Sequence, residues 1–181
     1  MSDIPRLNSV GRRVVVTGMA GAGKSTFSRA LSSKTGLPIV VLDVHFWQPG
    51  WTEPTEAEWR DTQTRLLAGD DWIADGNYHA TLDLRLDRAD TVVFLDMPWW
   101  ICAWRALMRG VRKRPADFEL PAGCDQSRLR RLRDEWWLAW RIWRARRSER
   151  ERELKIVSEH GKHVELHMLR STRAVREFLD Q

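Results

Sequence analysis

Residues 12–26 read Arg-Arg-Val-Val-Val-Thr-Gly-Met-Ala-Gly-Ala-Gly-Lys-Ser-Thr. A β-branched run ends in a glycine-rich turn, and Gly18-x4-Gly23-Lys24-Ser25 fits the phosphate-binding loop pattern at every required position. The residue types follow from the task. Glycines let the backbone curl so that successive N–H groups converge on one anion, with no side chain in the way. A helix starting near Lys24 adds its positive dipole end beneath the same phosphates. The whole turn, Gly18, Met19, Ala20, Gly21, Ala22, Gly23, Lys24, Ser25 and Thr26, is therefore expected to cradle a nucleoside triphosphate. Lys24 should reach the β- and γ-phosphates, and the Ser25 hydroxyl should ligate Mg²⁺. ATP and Mg²⁺ are the implied cofactors.

The rest of the chain alternates strands and helices, which means a parallel sheet with helices on both faces. Strand 1 is read at 13–17 and a helix from Lys24 to about Lys34, stopped by Gly36-Leu37-Pro38. Ile39-Val40-Val41-Leu42 reads as a strand buried on both faces and ending in Asp43. A carboxylate there sits where open α/β sheets bind ligands. An aromatic loop follows, from His45 to Trp51, and Thr55-x-x-Glu58 then offers a capping box for a helix. Trp72-Ile73-Ala74 is a short strand ending in Asp75, and residues 79–90 look polar and irregular. Thr91–Leu95 is the clearest buried strand; it ends in Asp96, a second candidate for organising Mg²⁺ beside Asp75.

A helix from Trp99 to about Val111 places Arg105, Arg109 and Arg112 at i, i+4 and i+7, on one face. Residues 110–127 contain Pro and Gly and read as a lid between helices. From 127 to about 152 the chain reads as one long helix. Leu129, Leu132, Trp136, Trp140 and Trp143 form its core stripe, within roughly 80° of its circumference. Its arginines read as a solvated face interleaved with Glu149, Glu151 and Glu153. A last strand at 164–169 and a helix from Thr172 to Leu179 close the chain.

At 181 residues the simplest organisation is one domain, 1–181, large enough to bury a core without staples. Cys102 and Cys124 have neither a C-x-x-C partner nor a histidine at zinc spacing, so a disulfide framework is not expected and a reducing cytoplasm is. No run is long and apolar enough for a signal peptide or a membrane span. The net charge of +5 favours anionic partners, and nucleotides satisfy that as well as nucleic acids do.

The motifs together resemble the adenylate-kinase-like small-molecule kinases. Leu42-Asp43-x-His45-Phe46-Trp47-x-Pro49-Gly50-Trp51, Trp72-Ile73-x-Asp75-Gly76-Asn77-Tyr78 and Arg85-Leu86-x-x-Ala89-Asp90-Thr91 are similar to the FlaR-type group. Its members are variously labelled topology modulation proteins or adenylate kinases. The resemblance implies a P-loop NTPase fold with a five-stranded parallel sheet in order 2-3-1-4-5. It also implies transfer of the γ-phosphoryl of Mg-ATP to a small acceptor. Asp75 would organise the metal, and Arg105, Arg109 and Arg112 would close over the phosphates, with Arg141 and Arg144 as further candidates.

Nucleoside monophosphate kinases typically carry an arginine after strand 2 and an aromatic-Pro-Arg run after strand 3. His45-Phe46-Trp47 and Asn77-Tyr78-His79 stand there instead, with Arg85 as a candidate replacement clamp. The acceptor is therefore expected to be a hydroxyl of a nucleoside or sugar-like metabolite. Asp43 would serve as base, and Trp47, Asn77, Tyr78 and Arg85 would contact the substrate. A nucleoside monophosphate kinase is the alternative. A nucleotide-dependent, DNA-associated regulator, drawn from the group's label and the basic segment 128–152, is the second.

Overall fold

In a computed structural model, the structure describes residues 10–111, 123–124, 128–145 and 147–181. Most of the lid expected at 110–127, with Arg112, lies outside them. The elements run β1 (Arg13–Thr17), α1 (Lys24–Thr35), β2 (Ile39–Val41), α2 (Leu42–Phe46), α3 (Glu56–Leu66), β3 (Trp72–Asp75), α4 (Leu82–Leu86), β4 (Thr91–Leu95), α5 (Trp99–Val111), α6 (Arg128–Ala145), α7 (Ser148–His160), β5 (Glu165–Leu169) and α8 (Thr172–Leu179). Short 3-10 turns occupy Pro49–Trp51 and His79–Thr81. The five strands form one all-parallel sheet in the order β2-β3-β1-β4-β5.

Alternation along β1 divides the core in two, because successive side chains point to opposite faces. Val14 and Val16 join Phe27 of α1, Cys102 and Ala106 of α5, Ile142 of α6 and Phe178 of α8. Val15 joins Leu67, Trp72, Leu82 and Leu86, and Val157 of α7, on the other face. Local signals set several boundaries. Gly36 ends α1 in the left-handed region, its N–H bonded to Ser32 O. Thr55 and Glu58 form the expected capping box: Thr55 N–H donates to Glu58 Oε2 at 2.8 Å, and Glu58 N–H donates to Thr55 Oγ1 at 3.3 Å.

Four expectations need correction. β2 stops at Val41 and is half-exposed, because it lies at the edge of the sheet rather than inside it. Leu42 starts a helix, so Asp43 sits in the first turn of α2 and not at a strand end. The polar stretch 79–90 is folded, with Leu82 and Leu86 fully buried. The helix read through 127–152 is two, α6 and α7. They serve opposite layers: α6 supplies Ile142 to one cluster and α7 supplies Val157 to the other.

The core stripe of α6 is also misphased. Trp136, Trp140 and Trp143 are 67%, 44% and 47% exposed, whereas Ala139 and Ile142 are buried. The buried line lies one residue away, about 100° around the helix. The side chains of Leu129 and Leu132 lie outside the described residues.

Candidate active site

The loops after β1, β3 and β4 gather at one edge of the sheet, since Val16 is in register with Asp75, and Thr17 with Phe94. Gly18 and Gly21 have φ of 128° and 81°. A Cβ on Gly21 would stand 2.2 Å from the carbonyl oxygen of Cys102, and one on Gly18 would stand 2.5 Å from that of Leu95. No L side chain fits at either position. Gly23 begins α1 with no side chain capping it, which leaves the first N–H groups of the helix to an anion.

The Lys24 ammonium donates to Gly18 O at 2.7 Å and Met19 O at 3.2 Å. Burial lowers its pKa, against the pull of Asp75, Glu153 and Asp43. Asp75 is buried and its carboxyl is pushed up by burial, with the Ser25 hydroxyl hydrogen bond and Lys24 opposing and Asp43 adding to the rise. Ser25 and Asp75 thus present hard oxygen donors side by side. Asp96 is differently placed. Arg150 grips it with two hydrogen bonds of 2.8 and 2.9 Å, and Arg170 lies 3.5 Å away. A cavity of about 480 Å³ opens there, between the end of β4 and the start of α7, with Met19, Asp96, Trp99 and Arg150 in its lining. Among the described residues no cluster of three or more His, Cys, Asp or Glu is arranged to hold a metal.

Arg105 and Arg109 of α5 are engaged with different partners. Arg105 stays at the phosphate-binding loop, donating to Ala22 O at 2.9 Å and to Thr172 Oγ1 at 3.4 Å. Arg109 makes a bidentate pair with Glu135 of α6 at 2.6 and 2.8 Å. Arg112 lies outside the described residues. Arg141 and Arg144 stack over Trp137 and Trp140, with centroid distances of 5.4 and 5.6 Å.

On the β2–β3 side, the Tyr78 hydroxyl donates to Asp43 Oδ1 at 2.7 Å. Burial and the Asp43 charge push the Tyr78 phenol well above its ordinary pKa, so it remains a donor. Asp43 itself is exposed. Its partner ring is fixed by an aromatic cluster: Tyr78 lies 4.5 Å from Phe46 and 4.9 Å from Trp59, and Phe46 meets Trp47 edge-on at 5.1 Å. Asn77 Oδ1 is buried with no hydrogen-bond partner.

Arg85 departs from its expected role. It is fully buried, and its guanidinium donates to the carbonyls of Gly76, Asn77 and Tyr78 at 2.6, 2.8 and 2.9 Å. Burial lowers its pKa to about 10, against the pull of Glu153, so it is cationic at neutral pH. The residue holds the 76–78 loop from within; it offers no guanidinium to a substrate.

Sequence reasoning missed Glu153, read as part of a solvated face. It is 2% exposed, and its carboxylate accepts from the Thr17 hydroxyl and, at 3.2 Å, from Gly18 N–H. The signal was its spacing: Glu153 lies four residues before Val157, on the inward side of α7.

No protein-family model matches the chain, and no curated protein matches it. Solved structures do. A shikimate kinase from Acinetobacter baumannii, in complex with shikimate, is 17% identical, with 92% of this chain and 88% of that chain covered and a TM-score of 0.51. A gluconokinase from Sinorhizobium meliloti 1021 is 16% identical over 92% and 89%, again at 0.51. A shikimate kinase from Aquifex aeolicus vf5 is 16% identical over 93% and 91%, also at 0.51. The chain has the P-loop small-molecule kinase fold. Within that fold the loop at 18–25 and the strand ends beside it form the candidate site. Among the described residues no helix is long and apolar enough to cross a membrane.

Proposed function

We propose that the chain is an ATP-dependent phosphotransferase whose acceptor is a hydroxyl of a nucleoside or sugar-like metabolite. The observation that carries this reading is Asp43. It is an exposed carboxylate on the loop edge, held by the Tyr78 hydroxyl at 2.7 Å and close enough to the phosphate-binding loop that Lys24 and Asp75 both feel its charge. A phosphate acceptor is already nucleophilic and asks for arginines; a hydroxyl benefits from a base. Arg85, the arginine expected to replace the usual clamp, is committed to loop carbonyls.

Lys24 and N–H groups of the loop that follows Gly18, through Thr26, would hold the triphosphate, with Arg105 beside them. Ser25 and Asp75 have the oxygen chemistry that Mg²⁺ takes, and a cation bound there would supply neutralising charge for the β- and γ-phosphates. Asp96, already bonded to two arginines, suits that role less well. Asp43 orients the acceptor hydroxyl and takes its proton. The hydroxyl oxygen bonds to the γ-phosphorus, the bond from that phosphorus to the β–γ bridging oxygen breaks, and ADP leaves. Trp47 and Tyr78 would flank the acceptor, and the unpartnered Asn77 Oδ1 would accept a hydrogen bond from it. The likeness to the FlaR-type group is carried by the sequence segments around Asp43, Asp75 and Arg85.

The test is a screen of ATP consumption against nucleosides, nucleotides, sugars and sugar acids, with the product followed by mass spectrometry. Asp43→Asn should keep ATP binding and lower acceptor phosphorylation by roughly two to four orders of magnitude. A diphosphate product, or an Asp43→Asn enzyme as fast as the parent, would replace this reading with a nucleoside monophosphate kinase. Salt-dependent duplex binding without turnover would favour the DNA-associated reading.

A further inference from the structure

Glu153 is out of keeping with the loop it supports. A site selected only to bind phosphate gathers N–H groups and cations. Here a buried carboxylate from α7 accepts the N–H of Gly18, the first residue of that loop, and the hydroxyl of Thr17. Burying a carboxylate costs several kilocalories unless neighbours compensate it, and hydrophobic residues of similar size would fill the space more cheaply. The carboxylate must serve another purpose.

Its second oxygen shows where to look. Oε2 lies 3.8 Å from Nε2 of His79, a nitrogen that is buried and has no hydrogen-bond partner. His79 directly follows Tyr78, which holds Asp43. It also borders the 76–78 loop, whose carbonyls Arg85 secures. Glu153 therefore faces both halves of the site: the loop after β1 through one oxygen, and the segment after β3 through the other. The basic side chains around it are Lys24 from α1, Arg85 from α4 and His79 from the 3-10 turn.

We infer that Glu153 is a positioning residue that couples the phosphate-binding loop to the acceptor segment Gly76–Thr81. The inference rests on the proposed phosphotransferase function. Phosphoryl transfer requires donor phosphorus and acceptor oxygen in near-attack register; the Ser25–Asp75 hydrogen bond ties the loop only to the end of β3, whereas Glu153 reaches the segment beyond it at His79. A triphosphate competes for the Lys24 ammonium, which lies within the field of Glu153. As Lys24 turns to the phosphates, the carboxylate leans more heavily on the His79 imidazole, 3.8 Å away. Occupancy of the donor side thereby fixes the acceptor side.

The experiment is amide hydrogen exchange on the full chain with and without Mg-AMP-PNP, comparing the parent with Glu153→Gln and His79→Gln. Gln at 153 still accepts from Thr17 and Gly18 but lacks the charge. His79, 17% exposed, provides a second variant that leaves the carboxylate in place. In the parent, the nucleotide should slow exchange at 21–26 and also at 76–81, the latter on the order of fivefold or more. In both variants the slowing at 21–26 should persist while that at 76–81 falls to within about twofold, the residue of a coupling of ordinary size. Amides of β4 serve as the control for fold. Undiminished slowing at 76–81 in either folded variant, or none there in the parent, would overturn the coupling. Failure of AMP-PNP to slow 21–26 in the parent would instead overturn the phosphotransferase reading.

Discussion

The two halves of the candidate site differ in how they are built. The donor half is a single run of residues whose backbone does the work, and glycines at fixed positions are its signature. The acceptor half is assembled from Asp43 on α2, Phe46, Trp59 on α3, and Tyr78 after β3, with Arg85 of α4 bracing it from behind. Backbone chemistry is local, so a motif can encode it. Side chains that converge from four elements depend on how those elements pack.

That contrast can be tested by substitution. Lys24→Ala removes the point charge of the donor half and should lower turnover on the order of a hundredfold or more, with circular dichroism unchanged. A folded variant as fast as the parent would remove the donor half altogether. Arg85→Met should act on stability rather than on nucleotide contacts. Three loop carbonyls lose a buried cationic donor, which should cost about 3 kcal/mol, read as a lower urea midpoint. If the midpoint held and acceptor KM rose instead, Arg85 would return to the substrate.

Tyr78→Phe is a subtler probe. It deletes one hydrogen bond to Asp43 and leaves the ring in its cluster, so kcat should fall by about threefold to tenfold, with ATP affinity unchanged. An equal fall in ATP affinity would mean that the two halves are not distinct. Arg109→Ala should have the smallest effect, within about twofold on kcat, because its guanidinium is paired with Glu135 in an exposed ion pair of ordinary strength. A large fall in kcat with unchanged nucleotide affinity would place it in the transition state after all.

What the sequence made legible was what neighbouring residues decide. The glycine-rich turn, the Thr55–Glu58 capping box and the buried run Thr91–Leu95 all emerged in the structure, and the strand order is the one the family resemblance implied. Asp43 was singled out, but its place on a helix was not, because Ile39–Leu42 looks the same whether a strand is central or at an edge. The phase of α6 could not be read either. Trp136, Trp140 and Trp143 make a better hydrophobic stripe than Ala139 and Ile142, yet it is Ile142 that joins Cys102 and Ala106 of α5 in the core. Glu153 was hidden because charge in an Arg-Glu run signals solvent, and only the distant Thr17, Gly18 and His79 give that carboxylate a reason to be inside.

The brevity of β2 has a consequence for how this protein behaves at high concentration. An outermost strand offers unpaired backbone groups to any other extended chain, and long flat ones invite stacking of one molecule on another. Here the strand lasts three residues before the chain winds into α2 at Leu42, too short a template for a stranger to extend. The same winding places Asp43 one residue into the helix, where Tyr78 can reach it. Changes that lengthen the strand would thus pull the carboxylate from its partner and lay open a sticky border in one stroke, tying colloidal stability to the integrity of the proposed acceptor site.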